Sequence, residues 1–134
     1  MPIIKEKITD TGLRNPDWVR EEAILALELY FRIDVAKASA STPEIVELSD
    51  LLRTLPIHKD DNRKDSFRNP AGIHMILCNF LSLDPHYTGA GLNRGSKLQE
   101  EIWSEFSDDR AKLANTARQI RSSFDPTLSG RTTR

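Results

Sequence analysis

Three times in this chain Asn or Thr stands directly before a proline, and each time an apolar pattern of helical period follows. The pairs are Asn15-Pro16, Thr42-Pro43 and Asn69-Pro70. Asn or Thr can accept hydrogen bonds from the first free backbone N–H groups of a helix, and proline at the first helical position loses nothing by lacking one. After Asn15-Pro16-Asp17, Trp18, Leu25 and Leu29 fall on one stripe, while Ala23, Ile24, Leu27 and Phe31 gather on nearly the opposite side, up to about Arg32. A helix that is apolar on two sides belongs in the middle of a bundle, and Asp17, Glu21 and Glu22 suit its positive amino end. After Thr42-Pro43-Glu44, the residues Ile45, Val46, Leu48, Leu51, Leu52 and Leu55 give a packing surface that Pro56 closes. After Asn69-Pro70, Ile73, Ile76, Leu77, Phe80 and Leu83 share one side and His74, Met75, Cys78 and Ser82 the other, with Pro85 as the stop.

The same reasoning extends towards the carboxyl end. Ser96 and Gln99 have capping-box spacing and open a fourth helix, whose Leu98, Ile102 and Phe106 align with Trp103 at the edge of their stripe. Ser107-Asp108 reads as a break and a new cap, after which Leu113, Ala117 and Ile120 continue an amphipathic helix to about Ser123. The expected fold is all-α, with about five helices in one domain over residues 15–123. Its first three helices form a helix-turn-helix-like unit and the last two brace it. Residues 1–14, with a short alternation from Ile3 to Ile8, are expected to be an arm, either an edge strand or an extended segment. Residues 124–134 lack periodicity and read as a linker or tail towards a missing domain.

Composition narrows the function classes. A formal charge of −1 argues against coating nucleic acid by bulk electrostatics, so any such binding must use a local patch. Cys78 stands alone, which precludes an internal disulfide or a multi-cysteine zinc site and fits a reducing cytoplasm. The amino end, Met-Pro-Ile-Ile-Lys-Glu-Lys, has no long apolar run, and no window approaches the roughly 18 apolar residues of a membrane span. The expected location is therefore cytoplasmic.

The third helix is the candidate reading element. Arg68 and Asn69 sit at its amino end, where free donors and a partial positive charge favour an anion such as phosphate. With His74 and Met75, and with Cys78 and Asn79 further along, they offer what base edges need: paired donors for guanine, an amide for adenine, apolar atoms for a methyl group. Lys59, Arg63, Lys64, Arg94 and Lys97 cluster before this helix and in the glycine-containing loop after it, where phosphates flanking a groove would meet both. Asp60, Asp61, Asp65 and Asp84 offset much of that charge, so the basic residues could equally be ordinary solvated loop positions. Met75 and Cys78 could likewise pack against the fourth helix or dock a protein partner. His58, His74 and His86 show no zinc framework, and His74 with Cys78 lacks the third group that nucleophilic catalysis requires. Gly89 to Gly95 is not a P-loop, since no strand precedes it and Lys97 is misplaced for that motif.

Two resemblances add to this reading. Asn-Pro-Asp-Trp-Val-Arg-Glu-Glu at 15–22, followed by two helices, is similar to the opening of a Myb or SANT-type unit, in which an early Trp anchors the core and the third helix enters the major groove. More broadly, Trp18-Val-Arg-Glu-Glu, the run Phe67-Arg-Asn-Pro-Ala-Gly-Ile-His-Met-Ile-Leu-Cys-Asn-Phe-Leu-Ser-Leu-Asp-Pro, and Arg94-Gly-Ser-Lys-Leu-Gln-Glu-Glu-Ile-Trp-Ser-Glu-Phe resemble the amino-terminal region of McrA-type HNH restriction endonucleases, which attack modified DNA. This resemblance spans residues 15–123. It implies a non-catalytic double-stranded DNA-binding module without a cofactor, with cleavage by an HNH nuclease domain outside this chain. It further implies that a modified, methylated base is sensed, either in the major groove or by flipping it into a pocket. The competing class is a helical protein-interaction module without DNA contact.

Overall fold

A computed structural model describes residues 15–58, 64–87 and 96–124 of the chain. Among them there are five α-helices and no strand: α1 (Arg20–Arg32), α2 (Pro43–Thr54), α3 (Pro70–Leu83), α4 (Lys97–Phe106) and α5 (Arg110–Phe124). A single 3-10 turn, Val35–Lys37, follows α1. The expected arm at 1–14, the glycine loop and the tail beyond Phe124 lie outside the described residues. None of the helices is long and apolar enough to cross a membrane.

The helix starts show which cap signals the tertiary structure uses. Asn69 acts as expected: its Oδ1 accepts the Gly72 N–H at 2.8 Å, and Pro70 opens α3. Ser96 and Gln99 close a reciprocal box, with Gln99 N donating to Ser96 Oγ and Ser96 N to Gln99 Oε1. Thr42 precedes α2, but its hydroxyl accepts from Ser39 N rather than from the helix. At α5 the side chain that caps is Asp109, not the Ser107-Asp108 pair, with its Oδ1 accepting from Lys112 N at 3.0 Å.

The first signal is displaced. α1 begins at Arg20, and Glu22 supplies its amino-terminal acceptor by receiving Val19 N–H at 3.2 Å. Asn15 is used across the chain instead: its Oδ1 accepts from Lys64 N at 2.8 Å and its Nδ2 donates to Ser66 Oγ. The segment before α1 therefore straps the loop that leads into α3.

The two apolar sides of α1 are both covered. Ala23, Ile24, Leu25, Ala26, Leu27 and Leu29 are essentially inaccessible to solvent, and α1 packs against all four other helices. α3 lies between α1, α2, α4 and the 3-10 turn, burying Ile73, Leu77 and Phe80. α5 returns along α1 and beside α4 through Leu113, Ala117 and Ile120. Aromatic rings lock the far end: Tyr30 meets Phe31 edge-on at 5.1 Å and Trp103 at 5.7 Å. The Tyr30 hydroxyl donates to Asp84 Oδ2 at 2.7 Å, tying the end of α1 to the end of α3.

Candidate functional site

The amino end of α3 is built on a buried ion pair. Arg68 adopts a left-handed backbone conformation, φ 47°, which costs an L-residue on the order of 1 kcal/mol and turns up mostly where other contacts impose it. Those contacts are present. Its Nε donates to Glu22 Oε2 at 2.9 Å and its Nη2 to Glu22 Oε1 at 2.8 Å, with Glu22 1% exposed. Nη2 also donates to the carbonyls of Pro16 and Asp17 at 2.9 and 3.2 Å. The guanidinium lies 4.7 Å from the ring centre of Trp18 and 4.5 Å from that of Phe67, a cation–π sandwich. His58 Nε2 completes the cluster, 3.1 Å from Glu22 Oε1 and 3.3 Å from Arg68 Nη2. The Arg68 carbonyl in turn accepts from the buried Ser49 hydroxyl at 2.7 Å.

This arrangement corrects the role expected for Arg68. A side chain 3% exposed, with Nε and Nη2 committed to a buried carboxylate and its neighbours, does not reach out to a base edge in the groove of a duplex. It holds the start of α3 against the entry to α1. Trp18 belongs to the same cluster, half-buried at its edge rather than at the centre of the core. Glu22 was absent from the expected site, although a signal exists in the sequence. It falls on the Trp18, Leu25, Leu29 stripe, and an acid inside an apolar stripe requires a buried partner.

The other reading candidates divide differently. Asn69 is half-buried and caps its own helix. His74 is half-buried, and Met75, 63% exposed, is the large apolar side chain left open to solvent among the described residues. Cys78 Sγ lies 3.7 Å from His74 Nε2, and burial pushes its thiol pKa up, so it stays protonated rather than becoming a reactive thiolate. Asn79 turns towards α4, donating to Gln99 Oε1 at 3.4 Å. Lys64 and Lys97 are both exposed. Lys59, Arg63 and Arg94 lie outside the described residues.

Of the expected site residues, Arg68 and Lys97 border one concavity. A cleft of about 640 Å³ opens between the entry to α1 and the starts of α3 and α4; Trp18, Arg68, Gly72, Ile76, Lys97 and Gln99 are among its lining residues. Lys97 stands at its edge, and Lys64 adjoins it through Asn15, which also lines it. Met75 stands about 100° round α3 from Ile76, on the flank next to the cleft wall, whereas His74, about 160° from both Gly72 and Ile76, faces away from it. Gln99, 3% exposed, is fixed in the wall: its Nε2 donates to Ile76 O at 3.2 Å.

A second basic surface was not expected. α5 carries Arg110, Lys112, Arg118 and Arg121 and no acid, a bias visible in its sequence once its bounds are known. Its cations are partly spent: Arg110 stacks 3.5 Å from the Phe31 ring centre, Lys112 lies 3.8 Å from Glu105, and Arg118 donates to Asn115. Arg118 and Arg121 also share a concavity with Glu28 and Glu47.

No family model matches the chain, and neither a curated protein nor a solved structure matches it.

Proposed function

We infer that this chain binds double-stranded DNA with the face formed by the starts of α3 and α4, as the specificity module of a modification-dependent restriction endonuclease whose HNH nuclease lies outside it. One observation carries the reading. The amino ends of α3 and α4 open on one cleft, with Lys97 on its rim, Lys64 bonded to its wall through Asn15 and the exposed Met75 on the adjoining flank of α3. Helix amino ends and lysines favour phosphate, and a mixed polar and apolar strip between phosphate contacts can meet base edges and methyl groups. Arg68 serves this face by positioning it. The base-contacting candidates on this face are Met75 and the amide edge of Asn69 at the start of α3, whereas His74 lies on the far side of that helix.

The test is an anisotropy titration at low and moderate salt against matched duplexes that are unmodified, cytosine-methylated, hydroxymethylated or adenine-methylated. Binding should weaken as salt rises, because counterions are released, and one modified duplex should be preferred. Replacing Lys64 and Lys97 with Ala should lower the salt slope by about 1 for each phosphate that a lysine no longer neutralises. The same change at Arg118 and Arg121 should leave it intact. If only the α5 pair changes the slope, the interface is on the wrong side of the molecule, and no binding at low salt to any duplex sinks the DNA reading.

A second reading has its own support in Met75, a large apolar side chain left exposed beside the cleft. In a protein-docking module this residue would bury against a partner, and affinity would be nearly indifferent to salt.

A further inference from the structure

We propose that the cleft between the entry to α1 and the starts of α3 and α4 is a binding site for a single nucleotide, its base held near Trp18 and Arg68 and its phosphate at Lys97. The first observation is an unused donor. Nε and Nη2 of Arg68 are taken by Glu22, Pro16 O, Asp17 O and His58, while Nη1 has no hydrogen-bond partner among the described residues. The side chain is 3% exposed, yet Arg68 lines the cleft. Buried N–H groups without an acceptor are rare and costly, so Nη1 calls for an acceptor from outside the described residues, a place that a ligand oxygen fits.

The second observation is the cleft itself. Its volume, about 640 Å³, falls inside the roughly 300–1,000 Å³ of small-ligand sites. Trp18, Ile76 and Leu98 give it an apolar, partly aromatic lining on which a planar ring can pack. At its other edge the backbone N–H groups of Lys97 and Leu98, in the first turn of α4, have no acceptor among the described residues, and the Lys97 ammonium is exposed beside them. A donor, an apolar wall and an anion seat that border one cleft match a planar ring bearing a carbonyl or ring-nitrogen acceptor and linked to a phosphate. A mononucleotide has that chemistry. It can come free from solution or be turned out of a DNA strand, and only the second source rests on the DNA-binding reading above.

The probes are the four deoxynucleoside 5′-monophosphates, added to the isotope-labelled full chain while amide and indole resonances are followed. Shifts at Lys97, Leu98 and the Trp18 indole are expected, with deoxycytidine and inorganic phosphate each weaker by roughly tenfold or more. Ser66→Trp, at an exposed position lining the cleft, should remove the shifts while the rest of the spectrum is kept. Lys97→Ala, also exposed, is the independent variant and should weaken nucleotide binding without altering the fold. No shift at millimolar nucleotide overturns the site, as does phosphate alone binding as well as the nucleotides. A duplex carrying 2-aminopurine separates the sources. Emission that rises on binding and is lost in Ser66→Trp means that the nucleotide comes from the strand. Duplex binding that is equal in both proteins without that rise assigns the cleft to a free nucleotide and leaves the DNA reading standing. Nucleotide binding with no duplex binding keeps the site and removes the DNA reading.

Discussion

Arg68 is the residue whose loss should cost most, because Glu22 would be left as a buried carboxylate with only His58 and the Val19 N–H beside it. Breaking a buried pair from one side costs about 3–5 kcal/mol, so Arg68→Ala should lower the urea midpoint sharply with little change in the slope of the transition. The double variant Glu22→Leu with Arg68→Met should recover much of that loss, since apolar residues of similar size often replace a buried pair without penalty. A single variant within about 1 kcal/mol of the parent, well below that range, would show that the cluster is not structural. A second residue-scale prediction concerns Asp84. Burial alone would raise its pKa, but the Tyr30 hydroxyl and the His86 backbone and ring donate to its carboxylate and hold it below the usual range. A depressed folded pKa means that stabilisation is fully present above the unfolded value of about 3.9 and is lost as pH falls through the folded value. Tyr30→Phe should cost about 1 kcal/mol at neutral pH, and it should flatten the loss of stability on acidification. Identical acid titrations of the two proteins would contradict this.

At the scale of the element, the cap residues differ in what they contribute, although the sequence makes them look alike. Asn69 and Ser96 accept helix N–H groups through their side chains, so Asn69→Ala and Ser96→Ala should each cost about 1 kcal/mol. Thr42 bonds Ser39 instead of its own helix, so Thr42→Ala should cost less than either. Chemical denaturation of the three variants checks the order, and Thr42→Ala as the most damaging would reverse the assignment. The same elements separate what periodicity reveals from what it conceals. The faces of α3 follow directly from 3.6-residue spacing, with Ile73, Leu77 and Phe80 inside and Met75 outside. The start of α1 does not follow, because Asn15-Pro16 has the chemistry of a cap but its groups are claimed by Lys64, Ser66 and Arg68 from a distant loop.

For the molecule as a whole, α1 is the common partner of every other helix, so stability should be lost in one cooperative step. Leu27→Ala, at a position with no solvent exposure, should cost about 2–5 kcal/mol, with far-ultraviolet dichroism and Trp fluorescence reporting the same midpoint. Separate transitions for the two probes would mean that α1 does not integrate the bundle. The centrality of α1 was legible in the sequence, because two apolar stripes on one helix leave no side for water. The all-α class and the core faces were legible for the same reason: caps, prolines and helical period are local properties, and the backbone obeys them wherever tertiary contacts do not compete. What only the tertiary structure decided was the partner of each polar group. Arg68 at a helix start reads as an exposed donor, and nothing within a few residues of it says otherwise. Glu22, 46 positions away in the chain, turns it inward. Local sequence fixes which surfaces must be buried, whereas the pairing of buried charges depends on which segments meet in space.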